Sequence, residues 1–325
     1  MISLKRTQKG LSLIELMIAT GLSLILTLGV IQIFSSSKQT SRVQDSLARL
    51  QENARFALDL LAHDIRMAGQ LSCDSSIKPT DNSGGLLRPF GNGIFGYEYA
   101  DLPAVLINDH GSNPSNANII EGTDAIVVMS ASTNTIPTEK NTINVIVGEF
   151  SDIETGDPLL ISDCETADIF IANKINNSSI GTTVNLNKSY RDDSQLAPLN
   201  YSAYYIRTFD NNNNDASDDY QNLYRAIVTS STHINKEPLL EGVEDMQILY
   251  GEDINGDGSA IRYVDASTAN MNKVTSVRIH LLLHTLEDGL ASEPQDYWFN
   301  GTEHTATDKR LYRSFTTTIQ LRNKI

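Results

Sequence analysis

No nucleophile elbow, P-loop or paired catalytic motif occurs in the 325 residues, so an enzymatic reading has nothing to rest on. Cysteine is scarce. Cys73 and Cys164 are the only two, too far apart in sequence for metal-site spacing. Basic residues are outnumbered, 25 against 40 acids, and the net charge is −15. So acidic a surface repels a phosphate backbone, and without a local basic patch no direct nucleic-acid binding is expected. The six histidines are scattered. His280 and His284 have a metal-ligand spacing for a helix, but they fall in a predicted strand, which sets them about 13 Å apart. Proline is absent from Leu11 to Ala68, and between Leu11 and Phe34 the single charge is Glu15.

What is present in that N-terminal run is an apolar stretch long enough, as a helix, to cross a bilayer core of roughly 30 Å. Lys5, Arg6 and Lys9 precede it with no acid among them. Such a flank stays in the cytoplasm, so the rest of the chain is expected on the far side. A secretory signal would have a shorter apolar region with a small-residue cleavage site after it. Here the small residue, Gly10, comes before the run. A carboxylate in a membrane helix costs about 2.5–3.5 kcal/mol at the centre and less near the interface, so Glu15 implies a use.

Gly10-Leu11-Ser12-Leu13-Ile14-Glu15-Leu16-Met17 resembles the class III leader of type IV prepilins and type II secretion pseudopilins. The resemblance implies cleavage by a membrane-embedded prepilin peptidase between Gly10 and Leu11, then N-methylation of Leu11. Glu15 becomes the subunit-docking acid. Leu11 departs from the phenylalanine usual at that position. Losing Lys5, Arg6 and Lys9 with the leader takes the net charge from −15 to −18. Cys73 and Cys164 lie in the translocated part, where an oxidising compartment favours a disulfide over two free thiols.

Beyond the polar Ser35–Lys38 stretch, Val43, Leu47, Leu50, Ala54, Leu58, Leu61, Ile65 and Ala68 recur at steps of three and four. That stripe predicts one continuous helix over 11–68 with Gly69 as its stop, its second half packed on the chain's own sheet. A coiled coil is the alternative for that half. From Asp74 to Gly122, Ser, Gly, Pro and Asn predict long loop. Within it, Gly91-Asn92-Gly93-Ile94-Phe95-Gly96 matches a dinucleotide fingerprint that lacks the strand and helix it needs, and it is read as a false match.

Strand-like runs follow at Ala125–Ser130, Ile143–Phe150, Leu159–Ser162, Ile169–Ala172, Thr182–Leu186 and Ser202–Phe209. Further ones lie at Leu223–Thr229, Met246–Tyr250, Val274–His284 and Ser314–Leu321. With no useful helical pattern between them, the sheet is expected to be largely antiparallel. The polar tract Asp210–Asp219 reads as a solvated loop. The fold class is therefore α+β and pilin-like: a long N-terminal helix, membrane-spanning in its first half, on a β-rich head. The expected segments are leader 1–10, membrane and filament-core helix 11–34, amphipathic continuation 35–69, and head domain 70–325.

Glu241–Gln247, Tyr250-Gly251, Asn255–Gly258, Val277–Leu283, Arg313–Asn323 and Gly93–Glu98 together resemble the PilW family of minor pilins. The shorter pseudopilin J of type II secretion, which shares parts of the C-terminal pattern, is the alternative. A membrane-anchored adhesin or binding module is the second alternative. The PilW resemblance implies a subunit that co-assembles with other minor pilins and the major pilin. It would prime type IV pilus assembly and sit at or near the tip, where it would help carry an adhesin. Pilus functions are adhesion, twitching motility and DNA uptake. Implied partners also include the prepilin peptidase and the inner-membrane assembly platform. The implied location is the inner membrane before assembly and the pilus at the cell surface afterwards.

Asp253, Asn255 and Asp257 place side-chain oxygens at alternate positions before Gly258, like the opening half of a calcium loop. An EF-hand glutamate is missing, since Val264 holds the twelfth position, so Asp265, Glu252 or a distant residue would have to complete the shell. Some related pseudopilins bind calcium. The other reading is a hairpin turn, which Asn-Gly and Asp-Gly both favour.

Overall fold

The computed structural model describes residues 12–71, 77–83, 93–102, 119–139, 141–150, 152–182, 184–209, 220–230 and 233–323. These fall in two compact units, one reaching to Arg49 and one from Leu50 onward. Helix α1 (Leu13–Met67) runs unbroken for 55 residues, as the missing proline allows. In the first unit its large apolar side chains from Leu13 to Phe34 are exposed. Among the described residues this is the one helix long and apolar enough to cross a membrane.

In the second unit, α1 buries Leu50, Ala54, Ala57, Leu61, Ala62 and Ile65. Ala57 and Ala62 widen the expected stripe, and their small side chains bring the helix close to the strands beneath. Gly69 ends the helix with φ at +77°, the left-handed conformation that glycine adopts without strain. Its N–H donates to Met129 O at 3.0 Å, which leads the chain directly into the sheet.

Strands are numbered along the chain. The first eight are β1 (Thr80–Asn82), β2 (Ile94–Tyr97), β3 (Ala125–Ala131), β4 (Ile136–Pro137), β5 (Val145–Val147), β6 (Pro158–Ser162), β7 (Ala167–Asn176) and β8 (Ser179–Thr182). Next come β9 (Gln195–Phe209), β10 (Tyr220–Ser230), β11 (His233–Glu241), β12 (Val243–Glu252) and β13 (Arg262–Val264). The last are β14 (Val274–His284), β15 (Asp296–Phe299), β16 (Thr302–Thr305) and β17 (Tyr312–Gln320). An eleven-stranded sheet follows the path β11-β10-β9-β6-β7-β8-β5, with β1, β2, β3 and β4 attached beside it. A four-stranded sheet has the order β13-β12-β14-β17, and β15 and β16 form a separate hairpin. Among the described residues the pairings are antiparallel except β1 with β7, so the antiparallel expectation holds there with that one exception.

Alternation along β9 distributes its side chains between cores. Tyr204 and Ile206 join α1, Ile126, Val128 and the inner faces of β12 and β14 in the first core. Leu199, Tyr201, Ala203 and Tyr205 point into a second core with Ala125, Val127 and Met129. Leu196 reaches a third, around Phe150, Leu159, Ile161 and Phe170. On β14, Val277, Ile279, Leu281 and Leu283 face the first core as their period-two spacing predicts. The helix therefore packs on the chain's own sheets.

Two expected strands are shorter or displaced. Of Ile143–Phe150 only Val145–Val147 pairs as strand, because the Gly148 and Phe150 N–H groups donate to the turn carbonyls of Ser178 and Asn177. Thr182–Leu186 is preceded by the real strand, Ser179–Thr182, and Leu186 N–H donates to Ile143 O instead. The false dinucleotide match is a strand start. Ile94–Tyr97 pairs with β3, although its surroundings read as loop. The glycines there serve close packing: a Cβ on Gly93 would lie 1.9 Å from Gly69 N, and one on Gly96 2.1 Å from the Tyr250 hydroxyl. Gly91, Asn92 and the Asp210–Asp219 tract lie outside the described residues.

Candidate functional site

The N-terminus of α1 carries the residues expected to dock subunits. Ser12 caps the helix: its Oγ accepts the Glu15 N–H at 3.2 Å, and Glu15 Oε2 accepts the Ser12 N–H at 3.1 Å. This reciprocal pair is a capping box, in which Glu15 satisfies a backbone donor the helix cannot. Its carboxylate thus sits over the first turn, where the helix dipole favours negative charge. Gly10 and Leu11, the expected cleavage and methylation positions, lie outside the described residues.

Cys164 occupies the tight turn between β6 and β7 with φ at +64°. Its neighbour Asp163 holds that turn by accepting from the Glu165 and Thr166 N–H groups at 3.2 and 3.1 Å. Cys73 lies outside the described residues, so the pairing of the two is carried as a proposal below.

Asp253, Asn255 and Asp257 form a turn that satisfies itself. Asp253 accepts from Gly256 N at 2.6 Å and Gly258 N at 2.8 Å, and these donors hold its carboxyl below its ordinary pKa. Asn255 Nδ2 donates to Asp257 at 2.9 Å, and Asp257 accepts from Ser259 N at 2.8 Å. The residues expected to complete a calcium shell are engaged elsewhere. Glu252 accepts from Arg262 at 2.7 Å and Asn270 N at 2.5 Å, while Asp265 accepts from Ser267 and Thr268. Among the described residues no group of three or more His, Cys, Asp or Glu is placed to hold a metal. Three donors in a self-bonded turn fall short of the six to eight oxygens calcium takes.

His280 and His284 are held apart by separate partners. His280 Nδ1 lies 2.9 Å from Thr316 Oγ1, and buried His284 Nδ1 lies 3.0 Å from Thr285 O. Burial pushes the pKa of both down, so each is neutral at pH 7.

Two buried polar centres were not legible from the sequence. Asp168, fully buried, accepts from Asn82 Nδ2 at 2.9 Å, Asn187 N at 3.0 Å and Tyr190 Oη at 2.7 Å. It fixes the parallel strand β1 to β7. Asp124 accepts the Ile248 N–H at 2.7 Å and donates its own N–H to Met246 O at 2.9 Å, which ties β3 to β12. Burial, opposed by the Ile248 bond and reinforced by Glu98 and Asp245, pushes its carboxyl up to about 8. A lone Asp at a strand start gives no sign of either role.

A long apolar N-terminal helix ahead of an antiparallel β-rich head defines the pilin-like class of filament subunit. Residues 203–323 match the family described as type IV pilus-assembly protein W, and residues 5–31 match the prokaryotic N-terminal methylation motif. Over these two stretches the chain is similar to the PilW-like minor pilins of the type IV pilus. No curated protein and no solved structure matches it.

Proposed function

We propose that this subunit is cut between Gly10 and Leu11, methylated at Leu11, and held in the inner membrane by the first half of α1 with its head in the periplasm. It then co-assembles with other minor pilins to prime the pilus and sits at or near the tip. The observation that carries this reading is the exposed apolar helix with one acid, Glu15, ahead of a folded head that buries only the later part of the same helix. Exposed apolar surface of that extent needs lipid or other helices around it. In the assembled filament the Glu15 carboxylate leaves its cap on Ser12 for the N-terminal amine of a neighbouring subunit, where low dielectric strengthens the attraction.

Two substitutions separate cap from charge. Glu15→Gln keeps an oxygen for the Ser12 N–H, and Glu15→Ala removes both oxygen and charge. Both variants should insert and be cleaved normally, and both should lower recovery with co-expressed pilins about tenfold, a loss of about 1.4 kcal/mol. Should Glu15→Gln co-assemble like the parent, the charge has no docking role. Retention of residues 1–10 on assembled pili, read by intact mass, would remove the processing step.

A further inference from the structure

The two main sheets end in strands that differ in how they are protected. A free edge is a row of unpaired N–H and C=O groups, and proteins blunt it with charge, proline, bulges or shortness. Edge strand β11 carries Lys236, Glu237 and Pro238, and its pairing with β10 is twice out of register. Edge strands β5 and β13 have three residues each. From Ser314 onward, strand β17 lacks these devices. It pairs with β14 over nine residues in unbroken register, and Ser314 to Gln320 contains no charge and no proline.

Which β17 groups face outward follows from its two ends. Leu321 N–H donates to Thr275 O toward β14, so odd-numbered residues face the ladder. Tyr312 faces the other way: its N–H donates to Gln295 Oε1 at 3.1 Å, and its carbonyl accepts from Gln295 Nε2 at 3.4 Å. The Gln295 amide thus imitates a peptide group of an added strand. By the same parity Ser314, Thr316, Thr318 and Gln320 direct their N–H and C=O groups outward, and no described residue bonds to them. All four are exposed.

We propose that the β17 edge receives an extended strand from a different pilin-type subunit, joining at Ser314 to Gln320 where the Gln295 mimic ends. This rests on the reading that the chain co-assembles with such subunits. The incoming strand should alternate. Apolar residues would continue the first core beyond half-buried Phe315, and hydroxyl or amide residues would match Thr316 and Thr318 on the outer face. Arg313 and Arg322 bracket the edge of an otherwise acidic chain, which calls for acids at the strand's flanks and disfavours a second copy of net charge −15.

The test is residue-resolved hydrogen exchange on the full chain in mild detergent, alone and co-purified with co-expressed pilin-type subunits. Alone, the amides of Ser314, Thr316, Thr318 and Gln320 should exchange fast, while those of Phe315, Thr317 and Ile319 are protected. In the complex the four should slow at least tenfold. Thr316→Pro removes one outward N–H and leaves the β14 ladder intact, so it should keep its fold and lower recovery of the complex tenfold. Thr316→Lys is the second variant should proline unfold the sheet. A complex whose four amides stay fast overturns the edge proposal and leaves co-assembly standing. Absence of any complex with the parent chain overturns co-assembly itself. Protection of the four amides in a dimer of the chain alone would assign the edge to a second copy and overturn the choice of partner.

Discussion

At Asp124 a carboxyl group is buried, 5 % exposed, beside Glu98, Asp245 and the buried Tyr250 ring. Its pKa rises from the ordinary 3.8 to about 8 in the folded chain. Between those values the folded state holds a proton that the unfolded chain has released, so stability falls as pH rises through this window and levels off above it. Asp245 and Glu244, also raised by burial, add to the same trend. Neutral His284 opposes it, because its contribution is lost as pH falls below the ordinary histidine value. Asp124→Asn isolates the Asp124 part: it keeps an oxygen for the Ile248 N–H and cannot ionise. Between pH 5 and 8.5 the melting temperature of the parent should drop by about 3 °C or more beyond that of the variant. Parallel curves would remove Asp124 as the source.

At the scale of elements, visibility in the sequence followed how one-sided each environment is. Strand β14 sets Val277, Ile279, Leu281 and Leu283 into the first core while Arg278 and His280 on its other face are only half-buried, so its alternation showed it from Val274 to His284. Strand β9 serves three cores in turn and includes Pro198, so only its later half looked like a strand. Strand β11 was missed because Lys236, Glu237 and Pro238, which protect an edge, are also the residues that argue against a strand. Gly93, just before β2, and Gly96 within it disguised the strand as loop, since their reason is the backbone of Gly69 and the ring of Tyr250, neither visible locally. The Asp253–Gly258 loop carried two readings because turn chemistry and calcium chemistry use the same residues. With its oxygens bonded to backbone N–H groups, we propose that it is a turn. Calorimetry with calcium up to millimolar should give no heat and no rise in melting temperature. A heat lost in an Asp253→Ala, Asp257→Ala variant would restore the calcium reading.

For the whole molecule, the anchor and the folding unit overlap within one helix, and truncation separates them. Residues up to Arg49 add exposed apolar surface, whereas Leu50 to Ala68 supply one wall of the first core. A chain beginning near Val43 should be soluble and melt within about 3 °C of the full chain in detergent. A chain beginning at Gly69 leaves Tyr204, Ile248, Tyr250 and Ile279 without their facing side chains. Losing Leu61 or Ile65 alone to alanine should cost about 2–5 kcal/mol, so losing the whole face should abolish cooperative unfolding. The proposed Cys73–Cys164 bridge closes a loop of about 90 residues, worth about 2–4 kcal/mol. Free-thiol labelling of unreduced, exported chain should modify neither cysteine, and reduction should lower the melting temperature of the Val43 chain. If both cysteines label, the bridge is absent. If the Gly69 chain melts as sharply as the longer one, the helix is only an anchor, and the sheets fold without it.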